Sequence, residues 1–175
     1  EAKEKNLFIK NEKGEVEVSQ FWDNLGSYLD FTNQDTVDWW KDNVKNQLLE
    51  FGIDSTWNDN NEYEIWSDDA YANGFGSKIN MNLIRPLQSL LMMKSSFEAQ
   101  KEHAPNKRPY LISRSGCPGM ERYVQTWSGD NYTSWKTLKY NIKMGLGLTM
   151  SGVYNFGHDV GGFAGPAPEP ELLVR

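Results

Sequence analysis

Two short stretches of this sequence each set an indole beside a carboxyl group. Phe51-Gly52-Ile53-Asp54-Ser55-Thr56 runs straight into Trp57-Asn58-Asp59-Asn60-Asn61-Glu62, and a second edge reads Trp127-Ser128-Gly129-Asp130-Asn131. Both have the pattern of a strand that ends in polar groups. Sugar chemistry needs such a set: a flat apolar surface for the CH face of a ring, and a carboxyl group on either side of the bond to be cut. Taken singly the residues are ambiguous, because an Asp in a turn most often bonds to nearby backbone and any one Trp serves equally well in a core.

Composition narrows the field. The chain has 175 residues, enough for one domain with its own core, and a formal net charge of -6. No basic stripe is present to neutralise phosphates, which argues against a nucleic-acid partner. No apolar run approaches the roughly 20 residues needed to span a bilayer, so no membrane partner is expected, and Glu1-Ala2-Lys3-Glu4-Lys5 is no signal peptide. Cys117 is the single cysteine, which rules out an internal disulfide and slightly favours a reducing, cytoplasmic setting. Seven Trp among many Asn, Asp and Gly suit carbohydrate, whose hydroxyls bond to amides and carboxylates.

The elements that must position these groups can be read from periodicity and punctuation. Residues 7–18 have the form of a hairpin with Gly14 in the turn. Asn33 or Thr32 caps a helix whose apolar face is Val37, Trp40, Val44 and Leu48, with Gly52 ending it before a strand at Ile53–Trp57. Pro86 suits the first turn of a second helix with a buried stripe of Leu87, Leu90, Leu91 and Phe97. Strands follow at 110–113, 124–127 and 153–156, and Ser134 caps a third helix that carries Trp135, Leu138, Ile142 and Leu146. The tail 165–170 is extended, and 172–175 has the pattern of a helix. Alternating strands and helices predict an α/β fold of parallel βα units. No Gly-rich phosphate loop follows the first strand, and only about four βα strands are visible against the eight of a closed barrel. The prediction is part of a (β/α)8 barrel that fills residues 1–175, with residues 1–20 ahead of the first helix and 165–175 as a tail.

Four stretches, in order, resemble glycoside hydrolase family 31, the α-glucosidases, α-xylosidases and relatives. Phe21-Trp22-Asp23 through Leu29-Asp30-Phe31-Thr32-Asn33 is similar to the family's W-P-G…D-F-T-N-P segment, and Gly52 through Glu62 to its nucleophile strand. Pro109–Ser115 with Gly119, Arg122, Trp127, Gly129, Asp130 and Asn131 is similar to its acid/base region, and Gly157-His158-Asp159-Val160-Gly161-Gly162-Phe163 to a later strand end. The resemblance implies barrel strands four to seven. It also implies a retaining exo-α-glycosidase that needs no cofactor or metal and acts on α-linked sugars through a glycosyl-aspartate intermediate.

Carried over by position, Asp59 resembles the nucleophile and Asp130 the general acid/base, the latter kept protonated by burial against Trp127. Arg114 resembles an arginine that binds sugar hydroxyls, with a structural ion-pair role as the alternative. Trp57, Trp127, Asp159 and Phe163 resemble pocket walls. His158 faces the same mouth by position or is a satisfied structural histidine. Glu62 and Glu64 support the Asp59 loop through hydrogen bonds. Asn60 stands where many relatives have Met, and Tyr63 where many have Pro. An amide there raises the expectation of a sugar other than plain glucose, such as an N-acetylated or epimeric hexose. Rival readings are α-xylosidase or α-N-acetylgalactosaminidase specificity, a transglycosylase, and a non-catalytic carbohydrate-binding module. Unpaired outer strands lead to a further expectation, that the isolated piece is inactive and stays in solution only through self-association or residual pairing with its hairpin.

Overall fold

A computed structural model describes residues 1–175. The first hairpin forms as expected: β1 (Lys10–Asn11) bridges Val16 across a turn in which Gly14 takes φ +83°. A smaller hairpin, β2 (Ser19–Gln20) with β3 (Leu25–Gly26), follows. Helix α1 (Gln34–Gln47) starts at Asn33, whose side chain accepts from the Asp35 N–H. A short 3-10 turn and Gly52, at φ +85°, close it.

Then β4 (Ser55–Asn58) leads into a long loop that holds β5 (Ala70–Ala72) and β6 (Ile79–Asn80). β5 pairs with β1 on one side and with β6 on the other, in an antiparallel sheet beside the main one. Helix α2 (Met81–His103) returns to β7 (Tyr110–Ser113), and β8 (Thr126–Trp127), α3 (Trp135–Met150), β9 (Phe156–Gly157) and α4 (Pro170–Val174) complete the order.

The main sheet is parallel. β4 pairs with β7 from Ser55↔Tyr110 to Asn58↔Ser113, a bridge from Ile112 to Gln125 joins β7 to the β8 segment, and β8 pairs with β9. All four strands therefore finish at one edge, and the residues that follow them meet there. Two apolar clusters support the arrangement. Ile9, Phe31, Tyr63, Ile65, Ala70, Ala72 and Met81 lie under the β4 loop, while Met93, Leu111, Met120, Val124 and Val153 lie between α2 and the strands.

Four details depart from the pattern in the sequence. Helix α2 begins at Met81, so Pro86 is its sixth residue and not in its first turn. Asn80 decides this: its side chain caps the Asn82 N–H and also donates to the Asp68 carbonyl at 2.6 Å, fixing an earlier start. The fully buried stripe of α2 includes Gln88, Ser89, Ser96 and Gln100, whereas Leu87, Leu90, Leu91 and Phe97 are half-buried. Those polar groups are bound to β4 and its neighbours. Gln100 donates to Thr56 Oγ1 (2.9 Å) and Ser96 to Asn58 Oδ1 (3.2 Å), and Gln88 donates to the buried Asp30 carboxylate (2.9 Å). In α3 the expected apolar residues Trp135, Ile142 and Leu146 are exposed. The inward face is Asn141 and Gly145, because the Phe156 ring occupies the space a side chain at 145 would need. The last strand also starts later than expected, since the Val153 N–H bonds to the Leu148 carbonyl and closes α3.

Candidate active site

The ends of β4 and β7 are in register, and the last ladder bond runs from the Arg114 N–H to the Asn58 carbonyl at 3.1 Å. Asp59 and Arg114 are thus delivered side by side at the strand edge. Asn60 turns the chain with φ +51°, a left-handed conformation that asparagine tolerates better than most residues, and Tyr63 repeats it at φ +55°. Tyr63 is fully buried, donates its hydroxyl to the Leu29 carbonyl (2.8 Å) and stacks on Tyr28 with ring centroids 4.8 Å apart. Burial pushes its phenol well above the ordinary tyrosine value. A further glycine turn, Gly129 at φ +75°, brings Asp130 back from the end of β8.

Arg114 is the hub. Its Nε and Nη2 hold both oxygens of Glu62 at 2.6 and 3.1 Å, and Nη2 also donates to Asn60 Oδ1. Its Nη1 lies 3.2 Å from Asp59 Oδ1 and 3.8 Å from Asp130 Oδ2. Those two carboxylate oxygens can be no further apart than the sum of the two distances, which reaches only the lower edge of the roughly 6.5–9.5 Å typical of inverting pairs. The bidentate bond to Glu62 raises the guanidinium pKa above its usual value, and the Asp59 and Asp130 charges act in the same direction.

Sequence expectations meet the structure unevenly here. Asp59, Asn60, Glu62, Arg114 and Asp130 converge, and Trp57 packs edge-on against Trp127 with centroids 5.0 Å apart. Glu62 grips Arg114, whereas Glu64 joins the network through its backbone N–H, which donates to the Tyr28 hydroxyl. Asp130 is not buried against Trp127: its side chain is 55% exposed, because the glycine turn projects it past the strand end.

His158 and Asp159 lie apart from the hub and line a cavity of about 530 Å³ between α3 and α4. Burial lowers the His158 pKa, and its Nδ1 has no hydrogen-bond partner. Phe163 is exposed, but its N–H donates to the Asn131 carbonyl (2.8 Å), tying that segment to the Asp130 turn. Asn141 is a contributor the sequence reading passed over. It accepts from Asn131 Nδ2 at 2.9 Å and so braces the Asp130 turn from α3. A polar residue on the inward face of a helix was the available signal.

The whole length, residues 1–175, matches the model of the family 31 glycosyl hydrolase TIM-barrel domain. The chain belongs to glycosyl hydrolase family 31. Within the family it is 32% identical to alpha-glucosidase 2 of Bacillus thermoamyloliquefaciens, over 97% of this chain and 22% of that protein. It is 33% identical to human (Homo sapiens) neutral alpha-glucosidase C, over 99% of this chain and 20% of that protein. A crystal structure of a glucosidase II alpha subunit superimposes with a TM-score of 0.85 at 26% identity, over 98% of this chain and 19% of the other. The chain therefore spans about a fifth of the length of these relatives. The four chained parallel strands are a stretch of the family's barrel, and the edge that carries Asp59, Arg114 and Asp130 is the C-terminal edge where (β/α)8 folds place their chemistry.

Proposed function

We propose that residues 1–175 form part of the catalytic barrel domain of a retaining exo-α-glycosidase, α-glucosidase-like in its reaction, with Asp59 as nucleophile and Asp130 as general acid/base. The observation that carries this reading is one guanidinium nitrogen, Arg114 Nη1, that reaches both carboxylates and so brings them together at one strand edge. Relatives named as α-glucosidases support the reaction class.

An Asp59 oxygen attacks the anomeric carbon while Asp130 gives its proton to the departing glycosidic oxygen. Water then enters; Asp130 takes its proton as the water oxygen attacks the anomeric carbon and releases Asp59. The neighbouring guanidinium, with Nη1 3.2 Å from Asp59 Oδ1, orients the attacking carboxylate. Glu62 holds Arg114 in place, the Trp57–Trp127 pair offers an apolar wall for the ring, and the Phe163 segment steadies the Asp130 turn through Asn131, while His158 and Asp159 line the neighbouring cavity. The partner is a terminal α-linked sugar, and the double displacement requires no cofactor.

A 5-fluoro-α-glycosyl fluoride incubated with the full-length protein, followed by peptide mass spectrometry, tests the assignment. The label is expected on Asp59; a label on any other carboxylate removes Asp59 from the role.

Asn60 favours a second reading of the substrate. It is exposed, and Arg114 takes its amide oxygen, which leaves the amide nitrogen free to donate to a ring substituent. An N-acetylated or epimeric hexose would use that donor. A panel of nitrophenyl α-glycosides decides the matter, and a clear preference for the glucoside removes this reading.

A further inference from the structure

The cross-strand ladder stops short of the chemistry. β4 and β7 are bonded up to the contact from the Arg114 N–H to the Asn58 carbonyl, and both Asp59 and Arg114 project beyond that point. The loop that follows Asp59 holds left-handed conformations at Asn60 and Tyr63, which persist only when surrounding groups over-determine them.

Between these two residues lies Asn61, only 1% exposed. Its Nδ2 donates to Ser113 Oγ at 2.9 Å, its Oδ1 accepts from the Ser115 N–H at 3.0 Å, and its carbonyl accepts from Ser89 Oγ on α2. Ser113, fully buried, donates its own hydroxyl to the Ser115 carbonyl at 2.9 Å. A single amide therefore grips the residues on both sides of Arg114, while its own backbone continues the Asp59 loop.

We propose that Asn61 is a positioning residue: it replaces the missing ladder bonds and holds Asp59 in register with Arg114. The role rests on the double-displacement reading above. A buried amide with a partner at both its nitrogen and its oxygen resists the rotation that would let the two loops slide past each other. The consequence falls on the chemical step, because a displacement of about 1 Å at a reacting carboxylate costs roughly 100-fold in rate with little effect on binding.

The test uses Asn61→Ala, Ser113→Ala and the double substitution in the full-length protein. Each is assayed with an α-glycosyl fluoride and a nitrophenyl α-glycoside, and active sites are counted by trapping with the fluorosugar. Asn61→Ala is expected to lower kcat per active site about 100-fold on both substrates with KM within about threefold. Ser113→Ala, which cuts one end of the lock, is expected to cost about tenfold. The double variant is expected to be no slower than Asn61→Ala alone, since the two residues act as a unit.

A kcat per trapped site that stays at the wild-type value, a loss confined to KM, or losses that multiply in the double variant would each overturn the proposal. Should Asn61→Ala fail to fold, Ser113→Ala decides alone by the same measure. If the fluorosugar labels Asp59 while Asn61→Ala turns over normally, only this inference is lost. A label elsewhere sinks the double-displacement reading itself.

Discussion

The β4–β7 half of the site and the β8–β9 half are built differently. On the first side four paired residues per strand lead to Asp59 and Arg114, and buried side chains of α2 bond to β4 at Thr56 and Asn58. On the second side each strand has two paired residues, Asp130 rides on a glycine turn, and His158 Nδ1 lies buried without a partner. The difference suits the two proposed roles. The nucleophile must be held still against one atom, the anomeric carbon, whereas the acid/base meets the leaving oxygen in one step and a water in the next, at positions that need not coincide.

Substitutions at the two carboxylates test this contrast most severely. Asp59→Ala is expected to lower kcat by roughly 10⁴-fold or more on every substrate, since no other group can form the covalent intermediate. Asp130→Ala should cost about 10²–10⁴-fold with a poor leaving group and far less in the first step with a glycosyl fluoride, which needs no proton. Equal losses on both substrates would break the assignment of separate roles. Glu62→Gln keeps the shape but weakens the grip on Arg114, and about a tenfold fall in kcat/KM is expected, the size of one charge-assisted hydrogen bond.

The looser half is expected to show itself in stability. Ser134 Oγ accepts from the Thr137 N–H at 3.1 Å at the start of α3, so Ser134→Ala should cost about 1 kcal/mol, read as a thermal midpoint lower by roughly 2–4 °C. The smallest effect concerns His158, whose pKa burial has lowered from the ordinary imidazole value of 6.5. The folded form then binds a proton less readily than the unfolded chain. Its contribution is complete above pH 6.5 and is lost as pH falls through the lowered folded value. His158→Gln should flatten the drop in unfolding free energy over that acidic window, and an unchanged pH profile would show that His158 is not buried as described.

The unpaired outer edges of β4 and β9 bear on the chain as a whole. Each bonds to a neighbour on one side only, and an open strand edge is a template for pairing with another chain. Size-exclusion chromatography of residues 1–175 is expected to show self-association without hydrolysis of nitrophenyl glycosides; an active monomer would contradict this.

Local chemistry made much of this readable in advance. Gly14, Asn33, Gly52 and Ser134 act through bonds and dihedrals within a few residues of themselves, so the elements they start or end were visible in the chain. The start of α2 is not legible locally, because Pro86 gives a signal within its own turn while Asn80 gains its hold from Asp68 across the loop. The polar stripe of Gln88, Ser89, Ser96 and Gln100 is hidden for a related reason. A hydroxyl or amide reads as surface until the partner that satisfies it is known, and here the partners lie 26 or more positions away for Ser89 and 38 or more for Ser96. The exposure of Asp130 likewise depends on how the turn at Gly129 leaves the sheet.

From sequence alone come the family, the residue types at the strand ends and the two acids suited to the reaction, because these are properties of pattern and of side-chain chemistry. Only the folded structure decides that Arg114 stands between those acids, that Glu62 and Asn60 hold it, and that Asn61 fastens one loop to the next. Those facts depend on distances between chain segments more than 50 residues apart, and such distances are set by packing, which no local pattern records.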